Sequence, residues 1–279
     1  MTTLTTTDAA PAGVTTQRTE RVTVGGLLRS EWIKFWTVKS TIWTLSVSSV
    51  VIIGLALLAS LAIVNSDDTN PNPLDAFGGT AFLGPLAVAV LGALSITAEY
   101  STGMIRSSFA AEPRRLPVIW AKAAILALVV LVATALAVAI AAVLQWAIFH
   151  GKDFYVDATD PQVIRALFGQ ALYVTAIALF AFALGTLMRQ SAAAIATVLG
   201  VLLVLPILFQ IIPWSVLHDL MPFLPNVAGS QITQTDAQIQ SQADPSYTTL
   251  SAWQGFGVLL AYVVVVMIPG AWRVKTRDA

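Results

Sequence analysis

The stretch AEYSTGMIRSSFAAEPRR, residues 98–115, separates two long apolar runs with two acids, three arginines, one glycine and several hydroxyls. The chemistry such a set supports is recognition. Glu99 stands at the edge of the preceding apolar run, where an ionisable side chain is costly unless paired. Arg106, two helical turns along, is a candidate partner. Met104, Ile105 and Phe109 are interleaved with Ser and Thr, Gly103 permits a tight turn, and Pro113 ends any helix before Arg114 and Arg115. One reading is a loop whose arginines only set membrane topology. It leaves the Met-Ile-Phe set unexplained, whereas a short helix offering apolar knobs to a soluble protein explains both.

Other chemistries find little support. Without cysteine there are no disulfides or thiolate metal sites. His150 and His218 lie far apart with no H-E-x-x-H pattern, so no metal site is expected. No acid lies well within an apolar run, which disfavours an intramembrane protease or a proton-coupled carrier. Gln145, Gln170 and Gln210 fall at membrane depth, where they serve either a substrate path or hydrogen bonds between helices.

The elements that position these residues follow from hydropathy. The chain has 279 residues, 57% hydrophobic and 11% charged, with a mean hydropathy of +0.78; soluble domains carry about 25% charged residues. Six segments have the roughly 20 apolar residues needed to cross a bilayer, about 43–64, 77–98, 118–144, 165–187, 193–213 and 253–272. They must be helices, because lone strands leave backbone groups unpaired in hydrocarbon. The expected fold is therefore an all-α membrane protein of six transmembrane helices over residues 23–279. Residues 1–22 are Thr-rich and polar, expected as a disordered cytoplasmic tail. In LLRSEWIKFW, Leu28, Trp32, Phe35 and Trp36 fall on one helical face, with Arg29, Ser30 and Lys34 off it. That is an amphipathic helix lying in the membrane plane, with its tryptophans at headgroup depth.

Orientation follows from the basic flanks. With the N-terminus inside, Arg18, Arg21, Arg29, Lys34, Lys39, Arg106, Arg114, Arg115, Lys122, Arg189, Arg273, Lys275 and Arg277 face inward, leaving Lys152 and Arg165 outside. Both termini are then cytoplasmic. The last outer loop, 214–252, is long, Gln-rich and free of Lys and Arg, with its first half apolar and broken by Pro222 and Pro225. It is either a short helix dipping back into the membrane or an adhesive surface loop. Pro206 and Pro213 suggest a bend in the fifth span. With the loop segment around Pro222, Leu224 and Pro225, such a bend makes a candidate external gate. Ala133, Ala137 and Ala141, and again Ala192, Ala196 and Gly200, recur at a spacing that permits close helix packing.

Four segments make the chain resemble the permease subunits of ATP-binding cassette type-2 exporters: SEWIKFWTVKSTIW leading into the first span, EYSTGMIRSSFAAEPRR, LPNVAG in the last outer loop, and the basic end WRVKTRDA. With the six spans, the resemblance covers residues 27–279; Met104 stands where relatives often have Thr. It implies a permease that pairs with a second permease, identical or related, and with two copies of an ATPase subunit in the cell membrane. Carried over, Glu99, Tyr100, Gly103, Met104, Ile105, Arg106, Phe109, Arg114 and Arg115 become the element that couples to the ATPase, and the 27–39 helix lies beside it. The implied activity is export of an apolar or amphipathic substrate. ATP and Mg would bind the partner ATPase, since this chain has no G-x-x-x-x-G-K-[ST] loop and no segment long enough for a nucleotide domain. No cofactor, catalytic residue or nucleic-acid partner is expected on this chain; membrane lipid is. The alternative reading is a non-transporting membrane sensor or immunity protein that binds a ligand through its outer loop.

Overall fold

The computed structural model describes residues 23–66, 72–105, 115–150, 159–243 and 248–276. The expected tail 1–22, with Arg18 and Arg21, lies outside the described residues, as do Lys152 and Arg277. Thr23 caps the first helix, its hydroxyl accepting the Gly26 N–H at 3.2 Å. That helix, α1 (Val24–Thr37), breaks at the extended Val38 and turns into α2 (Lys39–Val64). Asn72 accepts the Leu74 N–H and opens a 3-10 turn, Pro73–Phe77, that runs into α3 (Gly78–Thr102). Then follow α4 (Arg115–Phe149), α5 (Pro161–Met188) and the fifth span α6 (Ser191–Ile211). The last span is α10 (Ala252–Thr276). These six are long and apolar enough to cross a membrane, each overlapping one expected span. All described elements are helical.

At 35 residues α4 is about 50 Å long, beyond the ~30 Å of a hydrocarbon core. Its ends therefore reach into the headgroup layers.

The bundle is organised around α5, whose apolar window is 78% buried, against 22% for α2 and for α6. Small residues account for this. A Cβ on Gly92 of α3 would collide with the Ala178 carbonyl of α5, and one on Gly185 of α5 would meet Ile96 at 2.8 Å and the Ala93 carbonyl oxygen at 2.9 Å. Side chains this small let two helices approach backbone to backbone, a contact hydrocarbon solvent does not otherwise drive. On α4, Ala137 and Ala141 pack with Ile52 and Ala56 of α2, as their spacing suggests. Ala192 and Ala196 instead turn outward on α6, which buries Ala194, Val198 and Leu202.

The fifth span is irregular just before Pro206, by a specific device. It is α-helical over Ser191–Leu199 and Leu205–Ile211, with a π-helical turn, Gly200–Val204, between. Pro206 has no N–H to give to the carbonyl four residues back, that of Leu202. Asn226 Nδ2 donates to that oxygen at 2.9 Å.

The donor comes from the 214–252 segment, which folds back onto the bundle. It forms α7 (Ser215–Leu220), a 3-10 turn Met221–Phe223, α8 (Pro225–Ser230), a 3-10 turn Gln231–Thr233 and α9 (Asp236–Ser241). Leu202 lies nine residues before the end of α6, so α8 reaches roughly 13 Å down that helix. Gly255 of α10 abuts the Ala228 carbonyl, Gly169 of α5 abuts the Ile232 carbonyl, and Gly229 meets Leu259 and Tyr173.

Candidate functional site

At the opposite end of the bundle four charges converge from three helices. Glu31 of α1 and Glu99 of α3 flank Lys122 of α4. Lys122 Nζ donates to Glu31 Oε2 at 2.5 Å and to Glu99 Oε1 at 2.8 Å. Lys34 closes the ring, 2.8 Å from Glu31 Oε1 and 3.4 Å from Glu99 Oε1. Glu31, Glu99 and Lys122 are buried, and Lys34 is a third exposed at its side chain. A cavity of about 370 Å³ adjoins the quartet, lined also by the hydroxyls of Thr41, Thr44 and Ser95.

The local sequence explains why an acid points inward from a membrane-surface helix. Leu28, Glu31 and Phe35 fall at i, i+3 and i+7, and Leu28 and Phe35 pack on the main core. Trp32 and Trp36 turn to the outside, 42% and 44% exposed, with their rings edge to face at 5.7 Å. The single apolar face expected of α1 is thus two faces, one set against the bundle around Glu31 and one outward around the tryptophans. Burial pushes the Glu31 carboxyl up, but the charge and hydrogen bond of Lys122, with those of Lys34, outweigh it and hold the group below its ordinary value. For Lys34, burial pulls the ammonium down; Glu31, then Glu99, reverses that and leaves it raised.

Glu99 therefore pairs with lysines from α1 and α4, and its expected partner Arg106 lies outside the described residues, together with Phe109 and Arg114. Gly103 adopts a left-handed conformation, φ 73°, and ends α3 as a C-cap. Beyond it Met104 is 49% exposed, whereas Ile105 is 2% exposed and joins the core. The apolar pair is split: Met104 faces outward and Ile105 holds the turn onto the bundle. Tyr100 turns inward, its ring 5.3 Å below the Arg189 guanidinium.

Arg189 belongs to a second basic group at this end. Arg189 Nη2 donates to the Arg273 carbonyl at 2.8 Å, and Arg273 Nη1 returns a bond to the Leu187 carbonyl at 2.6 Å. Arg115 Nη1 reaches the Val274 carbonyl at 3.2 Å. Each cation thereby sits at the negative end of a helix. Arg189 itself has φ 59°, the one non-glycine residue with positive φ among those described. An L-residue there costs roughly 1–2 kcal/mol.

These contacts place the described ends of α1 and α10 at one end of the bundle, beside the α3–α4 connection. The other end is stitched differently. Arg165 bonds Asp236 Oδ1 at 2.9 Å and the Gln234 carbonyl at 2.7 Å, and Gln238 Nε2 donates to Asp75 at 2.6 Å. A cleft of about 340 Å³ there is lined by Gln210, His218, Pro222, Gln231, Gln234 and Gln242 among others. Leu224 and Pro225 are buried at the joint between α7 and α8, and Pro222 lines the cleft. Gln170 is 1% exposed, with neither amide atom partnered among the described residues.

Sequence reasoning missed Glu31 and Lys122 as a pair. The signals were an acid on the apolar stripe of α1 and a lone lysine seven residues into α4, read there as a topogenic flank.

No curated protein matches the chain. The match to a known family begins at Leu74, so Glu31 and Lys34 fall outside it while Glu99 and Lys122 fall within. Over residues 74–279 the sequence fits the family described as a protein of unknown function, DUF2705, and this multi-pass membrane protein belongs to that family.

Proposed function

We propose that this protein is the permease subunit of an ATP-binding cassette exporter, moving an apolar or amphipathic substrate across or out of the cell membrane. Hydrolysis takes place on two copies of a separate ATPase chain, and a second permease subunit, the same or related, completes the path. Both termini are cytoplasmic in this reading, because thirteen of the 15 basic residues then lie inside.

The observation that carries the proposal is the Glu31–Lys122–Glu99 bridge. It ties α1 and α4 to the end of α3 that turns at Gly103 into the 104–114 segment. A soluble protein pressing on that segment, through the exposed Met104, moves three helices together. Transmission requires that the ATPase contacts differ between the two states of the permease. The two least buried spans, α2 and α6, both contact α3, which leaves a broad face for the second subunit.

The test is co-purification in detergent with the ABC-type ATPase encoded nearest to the gene for this chain. Wild type retains the ATPase; the double variant Met104→Asp, Phe109→Asp, still monodisperse, loses it. Retention by the variant sinks the coupling assignment, and absence of binding by either sinks the transporter reading. Orientation is checked with single cysteines, since the chain has none of its own. Ser241→Cys should react with an impermeant maleimide on intact cells, and Thr276→Cys only after lysis.

The amide-lined cleft at the far end favours a second reading, a membrane sensor or immunity protein that binds a ligand there. Ligand binding in the absence of any ATPase partner distinguishes it.

A further inference from the structure

We propose that the cavity beside the quartet binds an uncharged amphiphile, its hydrogen-bond-donating head on Glu99 and its chain running down α3. The quartet is balanced in charge but one donor short. Two carboxylates face two ammoniums, yet Glu99 Oε2 is buried and accepts from nothing among the described residues. Glu99 is only 7% exposed, and a buried carboxylate oxygen without a donor is costly and rare. It lines the 370 Å³ cavity, whose size lies within the range of small-ligand sites.

The lining is one continuous face of α3: Leu91, Leu94, Ser95, Ala98, Glu99 and Thr102 stand at i, i+3, i+4, i+7, i+8 and i+11. On α4, Ile125 and Leu126 follow Lys122 at i+3 and i+4 and wall the opposite side. From Glu99 to Leu91 is eight residues, so the cavity extends roughly 12 Å along α3, from the charged end into apolar walls. Thr37, Thr102 and Met104, all exposed, surround its mouth.

The hydroxyls of the cavity fix what the head must supply. Ser95 Oγ donates to the Gly92 carbonyl, Thr44 Oγ1 to that of Ser40 and Thr102 Oγ1 to that of Ala98, each at 2.8 Å. A hydroxyl has one hydrogen, so these three offer the cavity only lone pairs. With Glu99 Oε2 they form a wall of acceptors, while Lys34 and Lys122 are directed at carboxylates. The missing group is therefore a donor. Charge decides its kind: a cation would give the neutral quartet a surplus beside hydrocarbon, and an anion would face the unpaired oxygen. A hydroxyl or amide N–H satisfies the oxygen and keeps the balance. Water donates as well, but Leu91, Leu94, Ile125 and Leu126 offer it no partners, whereas an alkyl chain covers them.

The experiment is photolabelling of the full chain in nanodiscs of phosphatidylcholine, a lipid whose head has no N–H or O–H donor. The probe is a monoacylglycerol with a diazirine in its chain, and the label should fall on Leu91, Leu94 or Ile125. Unlabelled monoacylglycerol should displace it about ten-fold better than its dimethyl ether, which has the same chain and no donor, as expected for a hydrogen bond to a charged group. Ser95→Ala removes one acceptor and should weaken labelling about five-fold. Ser101→Ala should not, since that hydroxyl bonds the Ala98 carbonyl in the same way but lies outside the cavity. Ala98→Trp fills the cavity from an exposed position and should abolish labelling. Equal displacement by the ether, or wild-type labelling of Ala98→Trp, overturns the site. Absence of label from these walls leaves Glu99 to water and overturns it too. Displacement by decylammonium as strong as by monoacylglycerol assigns the oxygen to a cation and overturns the uncharged head. No ATPase enters these measurements, so they are decided apart from the co-purification; joined to the export reading, on which that extension rests, they name the class of its substrate.

Discussion

The two ends of this bundle solve the same problem with different chemistry. Each must satisfy polar groups next to hydrocarbon, where an unpartnered one is costly. At the α1 end the solution is ionic: two carboxylates and two ammoniums from α1, α3 and α4, with net charge zero. At the loop end it is mostly neutral. Asn226 serves the Leu202 carbonyl, Gln238 serves Asp75, and two glycines, Gly169 and Gly255, let backbone lie on backbone. An ionic cluster fails when any member is removed, because the others stay charged. A network of amides and close approaches loses one contact at a time. The difference teaches where the molecule transmits and where it only holds: the quartet makes three helices one unit, whereas α8 is a plug set among α5, α6 and α10.

The sharpest way to break that contrast is Lys122→Met. It leaves Glu31 and Glu99 buried with only the partly exposed Lys34 between them, and loss of one partner of a buried pair typically costs about 3–5 kcal/mol. Thermal unfolding in detergent should show it as the largest loss of any single substitution named for either end. The triple variant Glu31→Gln, Glu99→Gln, Lys122→Met should recover much of the stability. Failure of the triple to recover would mean that Lys122 matters by packing alone.

Next in size is Gly255→Ala. Its new methyl collides with the Ala228 carbonyl, a backbone atom that cannot rotate away. Overpacking of this kind costs about 1–3 kcal/mol. The damage should stay local: a cysteine at Val227 becomes reactive to maleimide, while one at Leu28 stays as protected as in the otherwise unchanged protein. Equal exposure at both positions would dissolve the distinction between the ends.

Asn226→Ala removes one hydrogen bond and should cost about 1 kcal/mol, within the range of single bonds in membrane proteins. Its effect is read by hydrogen exchange at Leu205 and Ile207, beside the π-helical turn. Pro206→Ala in the same background restores an N–H to the helix and should reduce that loss.

These elements differ in how far they could be read from sequence. The six spans were legible because hydropathy over some 20 residues is a property of the segment alone. An irregularity in the fifth span was legible from Pro206, but its π-helical form was not, and the donor that serves the freed carbonyl lies 24 residues along the chain. Gly169, Gly229 and Gly255 carry no signal of their own; absence of a side chain acquires meaning only when a neighbouring backbone or, at Gly229, the Leu259 and Tyr173 side chains arrive. Glu99 could be marked as needing a partner, because an acid at a membrane edge is costly. Arg106 was the nearest cation in sequence, while the observed partners lie on two other helices. Glu31 was not singled out, because Leu28 and Phe35 were read on one face with Trp32 and Trp36 rather than as a stripe that runs through Glu31.

The smallest effect is that of pH, and it separates the ends without any mutation. The Glu31 carboxyl in the folded chain lies below its ordinary value of 4.5, so the stability it contributes is fully present above about pH 4.5 and is lost as pH falls through the folded value. Lys34 is raised above its ordinary 10.5; its contribution is present below that pH and is lost as pH rises through the folded value. Between these limits the quartet is intact. Single cysteines at Leu28 and at Val227, probed after brief exposure to falling pH, should therefore part company. Leu28 should begin to label below pH 4.5 as α1 lifts from α3 and α4, and Val227 should stay protected, because the Asn226 bond and the glycine contacts carry no titrating group. Glu31→Gln should abolish the pH dependence at Leu28 while raising its labelling at neutral pH. If Val227 opens at the same pH as Leu28, the bundle comes apart as one cooperative unit, and acid sensitivity then belongs to the whole fold rather than to the charged end.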